Sequence, residues 1–106
     1  TNSHIIDRRS NPLLDNVAAV LNAHPEIQMI RIEGHTDSRG NAQRNLALSQ
    51  RRANSVMQYL IRRGRVARTR LTAQGFGPNQ PIYPNATTEA EYEANRRVEF
   101  RIVNNQ

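Results

Sequence analysis

Apolar positions recur along this chain with two different periods. Leu14, Val17, Ala18 and Leu21 follow an i, i+3, i+4, i+7 spacing, which draws one buried stripe along a helix. Asn11-Pro12 supplies its start, with Asn11 as cap and proline in the first helical position. His24-Pro25 ends it, because a residue before proline is pushed out of the α region. From Gln28 to Glu33 the period drops to two: Ile30 and Ile32 share one face, Arg31 and Glu33 the other. That alternation predicts a strand covered on one side. The helical period returns within Asn41 to Arg63, where Ala53, Val56 and Leu60 mark a core face, joined by Met57 and, two turns earlier, Leu46. Arg62, Arg63 and Gly64 give a cationic last turn and a glycine stop.

Further on, Arg70 to Gln74 reads as a short strand entering a turn cluster, Gly75-Phe76-Gly77-Pro78. A loop with prolines at 78, 81 and 84 follows, then one or two helical turns within Thr87 to Glu93. Val98, Phe100 and Ile102 alternate with Glu99 and Arg101 in a last strand. This order predicts a two-layer α+β sandwich, with helices packed on one face of a mixed β-sheet. The pattern is β-α-β-α-β-β with its first strand missing from this chain, because the opening helix has no strand before it.

The 106 residues make a single domain with one modest core. Aromatics are only 5%, so that core is aliphatic. Without cysteine there is neither a disulfide framework nor a thiolate metal site. No apolar run approaches the roughly 18 to 20 residues of a membrane span, and no secretory signal is visible. Membrane attachment is therefore expected only through regions outside this chain. The net charge of +6 is carried by fifteen cations. All of them are arginine, the residue whose flat fork pairs a carboxylate or phosphate through two bonds. An anionic partner follows: nucleic acid, a lipid surface or an acidic polymer.

Candidate chemistry concentrates at RIEGHTDSRGN, Arg31 to Asn41, where a strand runs into a polar loop bounded by Gly34 and Gly40. Inside it stands Asp37, a scarce carboxylate in an arginine-rich chain. On the second helix Asn45, Ser49 and Arg52 form a polar line, with Leu46 and Ala53 on the neighbouring stripe toward the core. That line borders the Asp37 loop if loop and helix fold back together. Two readings stand for Asp37 and Arg52. They form a plain salt bridge, or they receive a zwitterion, Asp37 accepting from an ammonium while Arg52 forks onto a carboxylate.

The ordered set Gly34-His35-Thr36-Asp37, Gly40, Asn45, Leu48-Ser49, Arg52-Ala53, Gly75-Phe76-Gly77, Pro81 and Asn95-Arg96-Arg97-Val98 resembles the OmpA-like C-terminal domain. The resemblance spans about residues 1 to 103. It implies a non-catalytic module, without cofactor, that binds peptidoglycan in the periplasm and anchors a parent outer-membrane or envelope protein to the cell wall. The ligand it implies is the meso-diaminopimelate residue of the stem peptide, a zwitterion. By motif matching, Asp37 and Arg52 grip the ligand, Asn45 and Thr36 line the site, and Leu46 contacts or shapes its floor. Asn2 reaches the ligand from the first segment, and Arg97 supports the site. The chain departs from the family where Glu91-Tyr92-Glu93-Ala94 replaces the usual Gly-Arg ahead of Asn95, which alters the support of the last loop.

Other functions fit less well. His35, Asp37 and Ser38 are too close in sequence for a hydrolytic triad, whose members come from separated segments. His35 is expected to be a hydrogen-bonded residue stabilising the loop. His4, His24 and His35 lack the spacing of zinc ligands, so no metal is expected. Arg62, Arg63, Arg65, Arg68 and Arg70 form a basic cluster suited to phosphates, and an anionic-polymer or nucleic-acid surface is the alternative function. No aromatics interleave with it to stack bases, so it is read as solvated surface and no nucleic-acid partner is expected.

Overall fold

A computed structural model describes residues 11–103. Its elements run α1 (Asn11–Ala23), β1 (Ile30–His35), α2 (Ala42–Arg62), a single 3-10 turn at Arg68–Arg70, β2 (Leu71–Gly77), α3 (Glu89–Asn95) and β3 (Val98–Ile102). The strands lie in the order β2-β1-β3, with β1 parallel to β2 and antiparallel to β3. The expected α+β architecture with a mixed sheet is therefore present. A parallel pair needs a crossover, and α2 supplies it, packing across β1 and β2. Asn2 and the Ile5-Ile6 anchor lie outside the described residues.

The core sits between α1, α2 and one face of the sheet. Leu14, Ala18 and Leu21 enter from α1, Ala53, Val56 and Leu60 from α2, and Ile30, Ile32 and Leu71 from the strands. Val17 and Met57 are partly buried beside them, as are Val98 and Phe100. The heptad-like spacings thus mark the packed faces, with one exception. Leu46 was expected toward the core but is 44% exposed, while Asn45, Leu48 and Ser49 of the same helix are buried. In its first two turns α2 meets the strand ends and the loop after β1, so a polar stripe turns inward there.

Two boundaries also move. β1 continues through Gly34 and His35, and β2 takes in Gly75-Phe76-Gly77, which the sequence suggested was a turn. The glycines serve packing instead. A Cβ on Gly34 would strike the Ser49 carbonyl oxygen, and one on Gly75 would strike the Gln50 backbone nitrogen. Glycine inside a strand here marks the close approach of a helix. Gln50 also closes part of the outer edge of β2. Its side chain accepts from Gly75 N–H at 2.9 Å and donates to the Ala73 carbonyl at 3.0 Å, satisfying backbone groups that an edge strand would leave open.

Candidate ligand-binding site

The loop after β1 is fixed from three sides. Thr36 N–H donates to the Gly77 carbonyl at 3.0 Å, and His35 N–H donates to the Arg97 carbonyl at 2.9 Å, tying the loop to both neighbouring strands' ends. From α2, the Asn45 amide donates to the Arg39 carbonyl at 2.8 Å. Ser49 locks the helix to β2 by accepting from Gly77 N–H at 2.9 Å while its own hydroxyl donates to the Leu46 carbonyl at 2.8 Å. Asn41 caps α2, its side chain accepting from Arg44 N–H. Thr36 spends its hydroxyl inside the loop, on the Asp37 carbonyl at 3.0 Å. The expected fold-back of loop onto helix is thus present, and Asn45 and Thr36 shape the loop that carries Asp37.

Asp37 is 3% exposed, and its two oxygens are held differently. Oδ1 accepts from the Arg39 backbone N–H at 2.9 Å, the two-residue reach of an Asx turn. Oδ2 accepts from Arg39 Nη2 at 2.8 Å and from Arg96 Nη1 at 2.6 Å. Burial by itself would raise the carboxyl's pKa, but the bonds from Arg39 and Arg96 outweigh it and bring the value down to about 2. Arg96 spans onward, Nη2 donating to Glu89 of α3 at 2.7 Å. Arg39 reaches the same Glu89 at 3.5 Å and lies 4.0 Å above the Tyr92 ring.

Arg52 is half-buried, its Nη1 directed at the His35 carbonyl at 3.4 Å. Desolvation and then the nearby Arg96 charge lower its pKa. Arg96 is therefore electrostatically close to both Arg52 and Asp37. A plain Asp37–Arg52 salt bridge is not what forms: among the described residues, the cations on Asp37 are Arg39 and Arg96. Leu46 stands at the rim, its backbone against Gly77.

Arg97 takes a different course from its neighbour. Its guanidinium pairs with Glu99 at 2.5 Å and donates to the carbonyls of Gln80 at 2.8 Å and Asn95 at 3.2 Å. It supports the 78–86 loop, which Asn95 also pins by accepting from Ile82 and Tyr83 N–H, both at 2.9 Å. The arginine that reaches Asp37 is Arg96. Strand alternation held the signal: Val98 packs on the core, so Arg97 and Glu99 fall on the opposite face. The Asp37-Ser38-Arg39 spacing likewise carried the Asx-turn signal for Arg39. Within Glu91-Tyr92-Glu93-Ala94, Glu91 completes a capping box with Thr88, and Tyr92 supports Arg39.

On the helix-free face of the sheet, His35 is fully buried, stacked on Phe76 at 5.4 Å, and neither ring nitrogen has a hydrogen-bond partner. It is a strand residue and not the hydrogen-bonded loop histidine the sequence suggested, because β1 carries it under the neighbouring side chains. Glu33, equally buried, accepts from Arg31 at 2.8 Å and Arg101 at 3.2 Å. Glu33, His35 and Glu99 bring one ligating atom each within 4.8 Å of one another. Both carboxylates are nevertheless paired with guanidiniums of Arg31, Arg97 and Arg101, so a metal ion there would face three positive charges. The basic cluster is partly committed as well. Arg70 donates to the carbonyls of His24 and Ile27 at 3.0 and 2.6 Å, and Arg63 lies over the Tyr59 ring at 5.9 Å.

A loop carboxylate kept ionised is thus set among guanidiniums beside a helix. The chain belongs to the OmpA family, which matches it over residues 1–96. It is 43% identical over 89 residues to the probable lipoprotein YiaD of Escherichia coli, covering 84% of this chain and 39% of that protein. It is 38% identical over 96 residues to the peptidoglycan-associated lipoprotein of Buchnera aphidicola, covering 91% of this chain and 54% of the relative. The chain thus spans from about two fifths to about half of these relatives. Among solved structures, the peptidoglycan-associated lipoprotein from Burkholderia pseudomallei superposes with a TM-score of 0.83 at 33% identity, covering 92% of this chain and 80% of that one. The C-terminal domain of Helicobacter pylori MotB superposes with a TM-score of 0.87 at 25% identity, covering 97% and 78% respectively.

Proposed function

We propose that this domain binds peptidoglycan, without chemical turnover, by gripping the meso-diaminopimelate of the stem peptide, and so anchors a longer envelope protein to the cell wall from the periplasm. The observation that carries this reading is Asp37: a buried carboxylate, ionised far below neutral pH, in the β1 loop that α2 holds through Asn45. Its relatives include proteins named for association with peptidoglycan. In the proposed complex Asp37 accepts from the ligand ammonium. Arg52, whose charge is half-buried, forks onto the carboxylate of the same amino-acid end. Thr36 and Asn45 hold the loop at the right height, and Leu46 offers an apolar rim to the ligand's methylene chain.

The test is calorimetric titration of meso-diaminopimelate, or a stem peptide containing it, into wild-type and Asp37→Ala protein. Losing the carboxylate should weaken binding by roughly 2 to 5 kcal/mol, the usual effect of leaving a desolvated charge without its partner. A lysine-containing stem peptide, which lacks the second carboxylate, should bind poorly. Equal binding by both proteins would remove Asp37 from the mechanism. Steep weakening with salt and indifference to Asp37 would instead favour polyanion binding by the Arg62 to Arg70 surface.

A further inference from the structure

Asp37 Oδ2 cannot take a ligand ammonium in the arrangement just described, although Oδ1, which accepts only the Arg39 N–H, keeps one lone-pair direction. Asp37 is 3% exposed, and Oδ2 already carries two guanidiniums, at 2.8 Å from Arg39 and 2.6 Å from Arg96. A carboxylate oxygen offers about two lone-pair directions, so that atom is filled. For an incoming ammonium to reach it, one guanidinium has to leave.

The two cations are not equivalent. Arg96 is 12% exposed and fixed at its other end by a 2.7 Å bond to Glu89. Arg39 is 50% exposed, and its second contact, to Glu89, is long at 3.5 Å. A place for it to rest exists away from Asp37, because its guanidinium already lies over the Tyr92 face and beside Glu89. Its backbone does not need to move with it: Arg39 N–H stays on Asp37 Oδ1 and its carbonyl stays on Asn45.

We infer that Arg39 is a displaceable internal counter-cation, a surrogate for the ligand's ammonium that pairs with Asp37 until ligand binds and then leaves it while keeping its contacts with Tyr92 and Glu89. This rests on the diaminopimelate reading above and adds to it a residue that sets affinity. Binding becomes an exchange of one cation for another on Asp37, so part of the ligand's interaction is spent on displacing Arg39. Tyr92, whose ring lies under the Arg39 guanidinium, belongs to the same device.

The experiment is calorimetric titration of meso-diaminopimelate into the full chain and its Arg39→Ala and Arg39→Gln variants, with the Arg39 and Arg96 side-chain Nε–H signals followed by NMR. Removing a half-exposed competing ion pair should tighten binding about two- to five-fold in both variants. In wild type the Arg39 signal should shift on saturation while the Arg96 signal holds. Unchanged or weaker binding by the variants, with wild type still binding, would overturn the exchange and leave the diaminopimelate reading standing. A shift confined to Arg96 would also overturn it. Binding by none of the three proteins would refute the diaminopimelate reading, and the exchange with it.

Discussion

Asp37 and Arg96, 59 residues apart in sequence, meet at 2.6 Å, joining the loop after β1 to the segment between α3 and β3. Arg97, one residue further on, turns to Glu99 and the 78–86 loop instead. Two adjacent arginines therefore have separable consequences. Arg96→Ala should lower stability by about 2 kcal/mol, because Asp37 stays buried with, among the described residues, the half-exposed Arg39 as its remaining counter-cation. The same change should alter diaminopimelate affinity by about tenfold or more. Arg97→Ala should cost about 1 kcal/mol of stability and leave affinity within about two-fold. Urea denaturation and calorimetric titration of the two variants check both halves.

The glycines under α2 make a second prediction. Gly34→Ala and Gly75→Ala each force a methyl group into helix backbone, at the Ser49 carbonyl and the Gln50 nitrogen respectively. Backbone cannot step aside as a flexible side chain can, so each should destabilise by about 2 to 4 kcal/mol, at or above the upper end of overpacking costs. Thermal unfolding would show the loss. An alanine at Gly40, whose Cβ would meet nothing within 4 Å, should cost only the strain of its φ of +86°, about 1 kcal/mol.

Asp37 makes stability depend on acid. Its folded pKa of about 2 lies below the ordinary 3.8. Its contribution is therefore fully present above about pH 3.8 and is lost as pH falls toward 2 and below. The shift corresponds to about 2 kcal/mol. Chemical denaturation of wild type and Asp37→Asn between pH 6 and pH 2 should show a gap that narrows in that window and is flat above pH 5.

His35 acts in a different window. Burial, then the Arg97 charge, lowers its pKa below the ordinary 6.5. As pH falls through about 6.5 the unfolded chain thus takes up a proton before the folded one does, and stability falls as pH drops through that value. His35→Phe keeps the stack on Phe76 and removes the titration. The variant should show a flatter stability profile between pH 7 and pH 5 than wild type, measured by urea midpoint.

Much of this molecule was legible in local pattern. Leu14, Ala18 and Leu21, then Ala53, Val56 and Leu60, repeat with a helix's own period, and Ile30 and Ile32 with a strand's. Burial of a regular element selects one face by geometry alone, so those residues are buried as their spacing requires. Asp37, Thr36, Asn45 and Arg52 were legible as motif positions, and loop and helix do fold back together around them.

What the sequence left open are matters of approach between distant segments. Leu46 sits on an apolar stripe by spacing, yet the helix meets a loop rather than a core at that height, and the side chain is exposed. Gly75-Phe76-Gly77 has the composition of a turn, and only the closeness of Ser49 and Gln50 shows why a strand needs glycine there. The partners of Asp37 were undetermined for the same reason. An ion pair is decided by distance and burial in three dimensions, and neither the two-residue reach of Arg39 nor the long-range arrival of Arg96 can be ranked against Arg52 until the chain has closed on itself. Periodicity set which faces turn inward; tertiary contact alone chose which charges meet.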